Sequence, residues 1–235
     1  MSRSHPRQWT IEESIERPDP DVVAAIGQFP TTQIADSGGP VGVVGPPIRP
    51  LAGGSEICGT AVTVWTKPGD ILFALKATDL VRDGDVLVID GGGREDAALI
   101  GDIVVSTLAT LGCRGVVVDG AVRDLAGIED VGLPVFGRNA HPATGSNDGP
   151  GAINVSIQCG GVLVQPGDIV RADASGVVVI PRTRASDVLS LTRAVDERER
   201  AWRAAIDAGA SLPTATGIDE RIAPLAVQGP GPEAA

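Results

Sequence analysis

Gly101-Asp102-Ile103-Val104-Val105-Ser106-Thr107-Leu108-Ala109-Thr110-Leu111-Gly112, then Gly115-Val116-Val117-Val118-Asp119-Gly120-Ala121-Val122-Arg123-Asp124, is the stretch on which the fold turns. In its first half, apolar residues at 104, 105, 108 and 111 share one helical face, so a helix is expected over 103–111. Asp102 reads as its N-cap and Gly112 as its stop. In the second half, the β-branched run 116–118 reads as a buried strand. Val86-Leu87-Val88-Ile89 upstream has the same character. Downstream, 125–131 suits a short helix and Leu133-Pro134-Val135-Phe136 a short strand. A β-α-β-α-β alternation over 86–136 implies parallel strands joined by helical crossovers, hence an α/β fold.

Outward from this centre, Gly59-Thr60-Ala61-Val62-Thr63-Val64-Trp65 is strand-like and 71–80 suits a helix. Residues 154–164, 168–173 and 176–180 read as strands separated by tight turns, which implies antiparallel pairing. A phrase recurs as Lys67-Pro68-Gly69-Asp70, Arg82-Asp83-Gly84-Asp85 and Gln165-Pro166-Gly167-Asp168. Each is turn chemistry beside a strand. The Gly/Pro-rich run 37–54 reads as an extended loop. Residues 1–20 form a polar leader, and a short helix over 22–26 follows, capped from Asp19–Asp21. A long polar helix spans 186–208 and ends a single domain over 21–210, after which 211–235 reads as a flexible tail.

The 235 residues carry a net charge of −11, which argues against nucleic acid as a partner, because phosphate binding needs clustered Lys and Arg. Aromatic residues make up 3% and Tyr is absent, so the core must be aliphatic. Cys58, Cys113 and Cys159 are odd in number and far apart, and no apolar run reaches membrane length. A reduced, cytoplasmic protein is expected. Zinc hydrolysis and a serine triad are disfavoured, because HExxH, a Cys/His cluster and GxSxG are all missing. His5 lies in the leader and His141 in a Gly/Pro-rich loop. Lys67 and Lys76, the only lysines, fit solvated positions. Gly91-Gly92-Gly93 lacks GxGxxG spacing and reads as a sharp turn rather than a nucleotide fingerprint.

Two carboxylates and a guanidinium at a helix start and a strand end are the ingredients of a site for a divalent metal and an anionic substrate. Asp102 and Asp124 have plain alternative roles as helix caps, and Arg123-Asp124 as an ion pair. In the functional reading, the amides of Ile103 and Val104 and the positive helix end hold a substrate carboxylate. Gly101 permits close approach. Asp124 takes a hard metal such as Mg²⁺, and Arg123 faces an oxygen that gains negative charge.

Gly101-Asp102-x20-Arg123-Asp124, with Gly59–Val64, Gln165–Asp168 and Ala172-Asp173-x-x-Gly176-Val177-Val178, resembles a known family from about residue 25 to 205. It is the superfamily of class II pyruvate aldolases, which act on 4-hydroxy-4-methyl-2-oxoglutarate and 4-carboxy-4-hydroxy-2-oxoadipate. The protein regulators of ribonuclease E activity belong to it too. The resemblance implies an αββα sandwich of the swivelling β/β/α type and a homotrimer or hexamer with its active site between subunits. It implies an Mg²⁺- or Mn²⁺-dependent carbon–carbon lyase that releases pyruvate and also decarboxylates oxaloacetate. Asp124 would bind the metal, and Arg123 the keto oxygen. Gly101, Asp102, Ile103 and Val104 would cradle the carboxylate, and Asp102 would hold a proton-carrying water. An acidic residue from a neighbouring subunit's C-terminal helix would complete the site. Glu199 matches by spacing, with Glu197 and Asp196 as rivals, while its plain alternative is an i,i+4 pair with Arg203. The glycine-rich 91–93 resembles the regulator branch, which leaves a non-enzymatic protein-binding role as the alternative function.

Overall fold

The computed structural model describes residues 9–225. The strands are β1 Thr10–Ile11, β2 Gly42–Val43, β3 Arg49–Ala52, β4 Ile57–Thr66, β5 Asp85–Ile100, β6 Gly115–Val122, β7 Val135–Gly137, β8 Asn139–Ala140, β9 Gly151–Ile153, β10 Ile157–Cys159, β11 Val162–Val164, β12 Ile169–Asp173 and β13 Gly176–Ile180. The α-helices are α1 Pro20–Ile26, α2 Thr31–Ala35, α3 Leu72–Ala77, α4 Asp102–Thr110, α5 Leu125–Val131, α6 Ala185–Asp207, α7 Leu212–Thr216 and α8 Ile218–Ile222.

The described residues form two compact units, 9–192 and 193–225, with the boundary inside α6. In the first, the main path of a large sheet runs β2-β13-β12-β4-β5-β6-β7-β3. Its β4-β5-β6-β7 part is parallel, as the alternation over 86–136 requires. Its β4-β12-β13-β2 part is antiparallel.

Strand alternation builds the layers. Val62, Val64, Leu87, Ile89, Val116 and Val118 point to one face, where they pack with Phe73 of α3, Leu108 of α4 and Ile128 of α5. Ala61, Val86, Val88 and Val117 point to the other and meet Val170, Ala172, Val177 and Val179. The far side of β12-β13, with Ile169, Val178 and Ile180, is covered by Ile26 of α1, Ile34 of α2 and Val188 of α6. The order helix, sheet, sheet, helix is the αββα sandwich. The sheet alternation of inward apolar residues on both faces makes the parallel strands fully buried, and β6 is buried along its whole length.

Several local expectations change. β5 is not a four-residue strand but runs sixteen residues through Gly91–Gly93. Gly92 (φ 65°) and Gly93 (φ 71°) bend it out of register with β6, a conformation cheap only for glycine. The 37–54 loop contains β2 and β3 at sheet edges. The polar leader contributes β1, which pairs with β9, while residues 1–8 lie outside the described residues.

In the second unit, the segment read as a flexible tail carries α7 and α8, and 226–235 lie outside the described residues. Ser211 caps α7 by accepting from the Thr214 amide, and the Arg198 guanidinium lies 5.3 Å from the Trp202 ring centre. Among the described residues, no helix is long and apolar enough to cross a membrane.

Candidate active site

β5 and β6 deliver their carboxyl ends side by side, with Ile100 paired to Val122. Gly101 follows one strand and Arg123-Asp124 the other, and the Arg123 amide donates to Ile100 O at 3.1 Å. Carboxyl ends of adjacent parallel strands are where open α/β sheets hold ligands. The parallel register thus converts a separation of twenty residues into contact.

Asp124 stands in the left-handed region, φ 58° and ψ 40°, which Asp tolerates at a cost. It occupies the N-cap position of α5, yet its side chain makes no capping bond. The plain role of a cap is therefore not what the side chain performs. Its carboxylate leans over Gly101: a Cβ on Gly101 would lie 2.4 Å from Asp124 Oδ2 and 3.1 Å from Arg123 Cγ. The glycine is there to make room for both side chains. Arg123 Nε lies 3.2 Å from Asp124 Oδ2, with both side chains partly open to solvent. Such an exposed pair adds little stability, so its geometry matters more than its energy.

The expected N-cap of α4 shifts by one residue. Gly101 is the cap and Asp102 the first helical residue, because the extended backbone of Gly101 (φ −143°, ψ −170°) lets its carbonyl accept the Val105 amide. The amides of 102, 103 and 104 precede that bond and have no acceptor within the helix. Asp102 Oδ1 takes the Ile103 amide at 2.8 Å, so among the described residues the open donors at this end are those of Asp102 and Val104 rather than of Ile103. The Asp102 side chain sits against Gly127 of α5, where a Cβ would come within 2.8 Å of it. Gly127 is a site-shaping residue that sequence reading passed over.

Between Arg123, Val104 and Gly101 opens a cleft of about 50 Å³, walled by Ile71 and Leu75 on the α3 side, Leu99, and Thr144. Its last wall comes from the loop 143–150. The Ala98 amide donates to Ala143 O at 2.8 Å, and Ala98 and Thr144 form a β-bridge. Asp70, fully buried, holds the rest of the loop: its Oδ2 accepts from Ser146 Oγ (2.7 Å) and the amides of Asp148 (2.8 Å) and Gly149 (3.0 Å). Burial pushes the Asp70 pKa up, but these bonds and the one from the Leu72 amide outweigh it and hold the group below the ordinary carboxylate value. The recurrent Gly-Asp phrase was the signal for this residue. Asp85 and Asp168 likewise accept amides of their own turns, from Arg82 at 2.8 Å and Gln165 at 2.9 Å.

Behind the site, Asp90 and Asp119 face each other across β5 and β6, and Asp119 pairs with Arg138. Burial raises the Asp90 pKa, against bonds from Gly92 and Gln158, and Asp119 adds to the rise. Burial likewise pushes the Cys58 thiol up to about 11 and Cys159 well above its ordinary value. Neither thiol is poised as a nucleophile. His141 Nδ1 accepts the Ala143 amide at 3.2 Å, a loop-structuring role.

The structure thus brings together Gly101, Asp102, Ile103, Val104, Arg123 and Asp124. Glu199 lies in the second unit on α6, where Arg203 Nη2 donates to its Oε2 at 3.4 Å; Asp196 pairs with Arg200 at 2.7 Å. Among the described residues, no three His, Cys, Asp or Glu side chains gather as a metal cluster. A magnesium-type ion does not need one, since it is commonly held by one or two carboxylates and keeps several waters. An uncapped, half-exposed carboxylate over a glycine floor fits such an ion.

A family model described as RraA-like, Aldolase/RraA, matches residues 31–179. A Halalkalibacterium halodurans protein, provisionally named a 4-hydroxy-4-methyl-2-oxoglutarate aldolase, is 40% identical over 185 residues, covering 77% of this chain and 88% of that one. An uncharacterised Pseudomonas syringae protein of known structure superposes with a TM-score of 0.75 at 29% identity, covering 86% and 99% of the two chains. Streptomyces coelicolor RraAS2, described as an unusual member of the RNase ES inhibitor RraA family, gives 0.72 at 28%, covering 81% and 99%. With a family model spanning most of the sandwich and these relatives, the chain belongs to the RraA-like, Aldolase/RraA family.

Proposed function

We propose that this chain is a divalent-metal-dependent carbon–carbon lyase. It cleaves 4-hydroxy-4-methyl-2-oxoglutarate, or a related 4-hydroxy-2-oxo acid, to pyruvate and also decarboxylates oxaloacetate. The observation that carries the reading is the Asp124 carboxylate, released from capping and set over Gly101 beside Arg123. The name of the Halalkalibacterium relative supports the same chemistry.

Asp124 would hold Mg²⁺ or Mn²⁺, which when bound supplies Lewis acidity toward the 2-oxo acid. The Asp102 and Val104 amides, at the positive end of α4, receive the substrate carboxylate. Arg123 donates to the keto oxygen and stabilises the negative charge that grows there as the bond to C4 breaks. The same charge develops when oxaloacetate loses CO₂, so the same residues serve both reactions. Asp102, with Glu199 of a second copy in a trimer or hexamer, holds the water that removes the 4-hydroxyl proton.

The test is pyruvate release from oxaloacetate and from 4-hydroxy-4-methyl-2-oxoglutarate, with Mg²⁺ or Mn²⁺ and with EDTA. Metal-dependent release, abolished in Asp124→Ala, is expected. No metal-dependent turnover of either substrate would overturn the reading. The charge of −11 and the Streptomyces neighbour favour a second reading, a protein-binding regulator of the ribonuclease E type. Absence of binding to a ribonuclease E scaffold in a pull-down removes it.

A further inference from the structure

We infer that the cavity at the amino ends of β4, β5 and β6 is a second ligand site, which takes a small organic carboxylate with an apolar body. It lies at the end of the parallel strands opposite to Gly101 and Arg123. The inference requires no lyase activity and does not rest on that reading.

Three observations carry it. The first is size. The cavity measures about 640 Å³, inside the range of ~300–1,000 Å³ that small-molecule sites occupy.

The second is the division of its lining. Pro18, Pro20, Val23 and Ala24, from the leader and α1, supply an apolar part. Arg17, Gln28 and Arg114, from three separate segments, supply donors.

The third is which valences are left open. Arg17 Nε and Nη2 hold the two oxygens of Asp85 at 3.1 and 2.8 Å, and Asp85 also accepts the Arg82 amide. Asp85 is thus satisfied, while Arg17 Nη1 has no acceptor among the described residues. The Gln28 side-chain amide has no partner among them either. Arg114 donates from Nη2 to Asp83 Oδ1 at 3.1 Å, in a pair whose side chains are 54% and 77% exposed. So exposed a pair contributes little, and a ligand carboxylate can replace Asp83 on the guanidinium. The open groups are donors on two guanidinium ions and an amide, and a carboxylate is the acceptor whose geometry and charge match them. Cys58, also on the lining, donates its thiol to Val23 O at 3.3 Å. Burial pushes that thiol up to about 11, so it stays protonated and the ligand is held without a covalent bond.

Titration calorimetry on the intact protein tests the site with three probes. Phenylacetate has both the charge and the apolar body, phenylacetamide lacks the charge, and acetate lacks the body. Phenylacetate should bind, and each of the others about tenfold more weakly or worse, because a charge-assisted bond or the apolar contact is lost. Arg114→Gln should weaken phenylacetate about tenfold. Asp83→Asn should tighten it severalfold by removing the competing carboxylate, a change of opposite sign that general damage to the fold does not produce. Ala24→Glu, an exposed position on the apolar part, should abolish binding. Arg17→Gln strips a buried carboxylate of its partner and endangers folding, so the Arg114, Asp83 and Ala24 variants decide the matter.

Binding should persist when oxalate and Mg²⁺ saturate the catalytic cleft. Displacement by oxalate would put the phenylacetate there instead and overturn the inference. So would no binding of phenylacetate, equal binding of all three probes, or affinity unchanged in both Arg114→Gln and Ala24→Glu. None of these outcomes bears on pyruvate release, so the lyase reading stands or falls separately.

Discussion

Asp124 shows how much one residue can depend on its backbone. An L-residue in the left-handed region carries a penalty of ~1–2 kcal/mol, which glycine escapes. Asp124→Gly should therefore be more stable than Asp124→Ala by about 1 kcal/mol in urea melts, while both lose metal-dependent turnover. A more stable alanine variant would show that the backbone is not strained as described. Gly101→Ala makes the companion case. Its Cβ would fall 2.4 Å from Asp124 Oδ2, so the carboxylate must swing away. We expect Mn²⁺ affinity, followed by electron paramagnetic resonance, to fall about tenfold, by analogy with disturbed metal-site support. Unchanged affinity would mean that Asp124 is not the ligand. At this scale the sequence was informative about identity and silent about geometry. Gly101, Arg123 and Asp124 could be picked out by residue type and spacing. That Asp124 is left-handed and uncapped, and that Asp102 spends one oxygen on Ile103, could not be read, because both depend on torsion angles fixed by the turn.

The loop 143–150 is the element whose order the site depends on most. Asp70 holds it through three bonds, all to a carboxylate that is charged at neutral pH. Hydrogen bonds to a charged group contribute ~1.5–3 kcal/mol each when broken singly, so Asp70→Asn should lower stability at pH 7 by about 2 kcal/mol. The folded pKa lies below the ordinary 3.8. The stabilisation is therefore present above 3.8 and lost as pH falls through the folded value. Urea melts of Asp70→Asn and the unmodified protein should differ at pH 7 and converge in acid below the ordinary carboxylate range. A gap independent of pH would rule out the carboxylate as its source. α4, α5 and the strands from 57 to 66 and 115 to 122 were legible because period and β-branching declare them. β5 was not, since its three glycines look like an end and serve as a bend.

At the scale of the whole molecule, the lyase reading requires a carboxylate from a second copy, with Glu199 in that place. If the site is shared head to tail around a ring, Asp124→Ala and Glu199→Gln are each defective but repair one another. Refolding an equal mixture should regain about a quarter of the unmodified activity toward 4-hydroxy-4-methyl-2-oxoglutarate, as random assembly pairs good halves at about that frequency. No recovery beyond the sum of the separate variants would place both groups on one chain or remove Glu199 from the mechanism. The sequence by itself determined the fold class, the family and the residue types of the site, because hydrophobic period and the Gly-Asp and Arg-Asp spacings are local properties of the chain. Only the tertiary structure decided which groups meet. Gly127 under Asp102, Thr144 and Leu75 across the cleft, and Asp70 behind the loop are brought together by the parallel register of β5 and β6 and by buried bonds between residues as many as 79 positions apart, and no local pattern encodes a contact of that range.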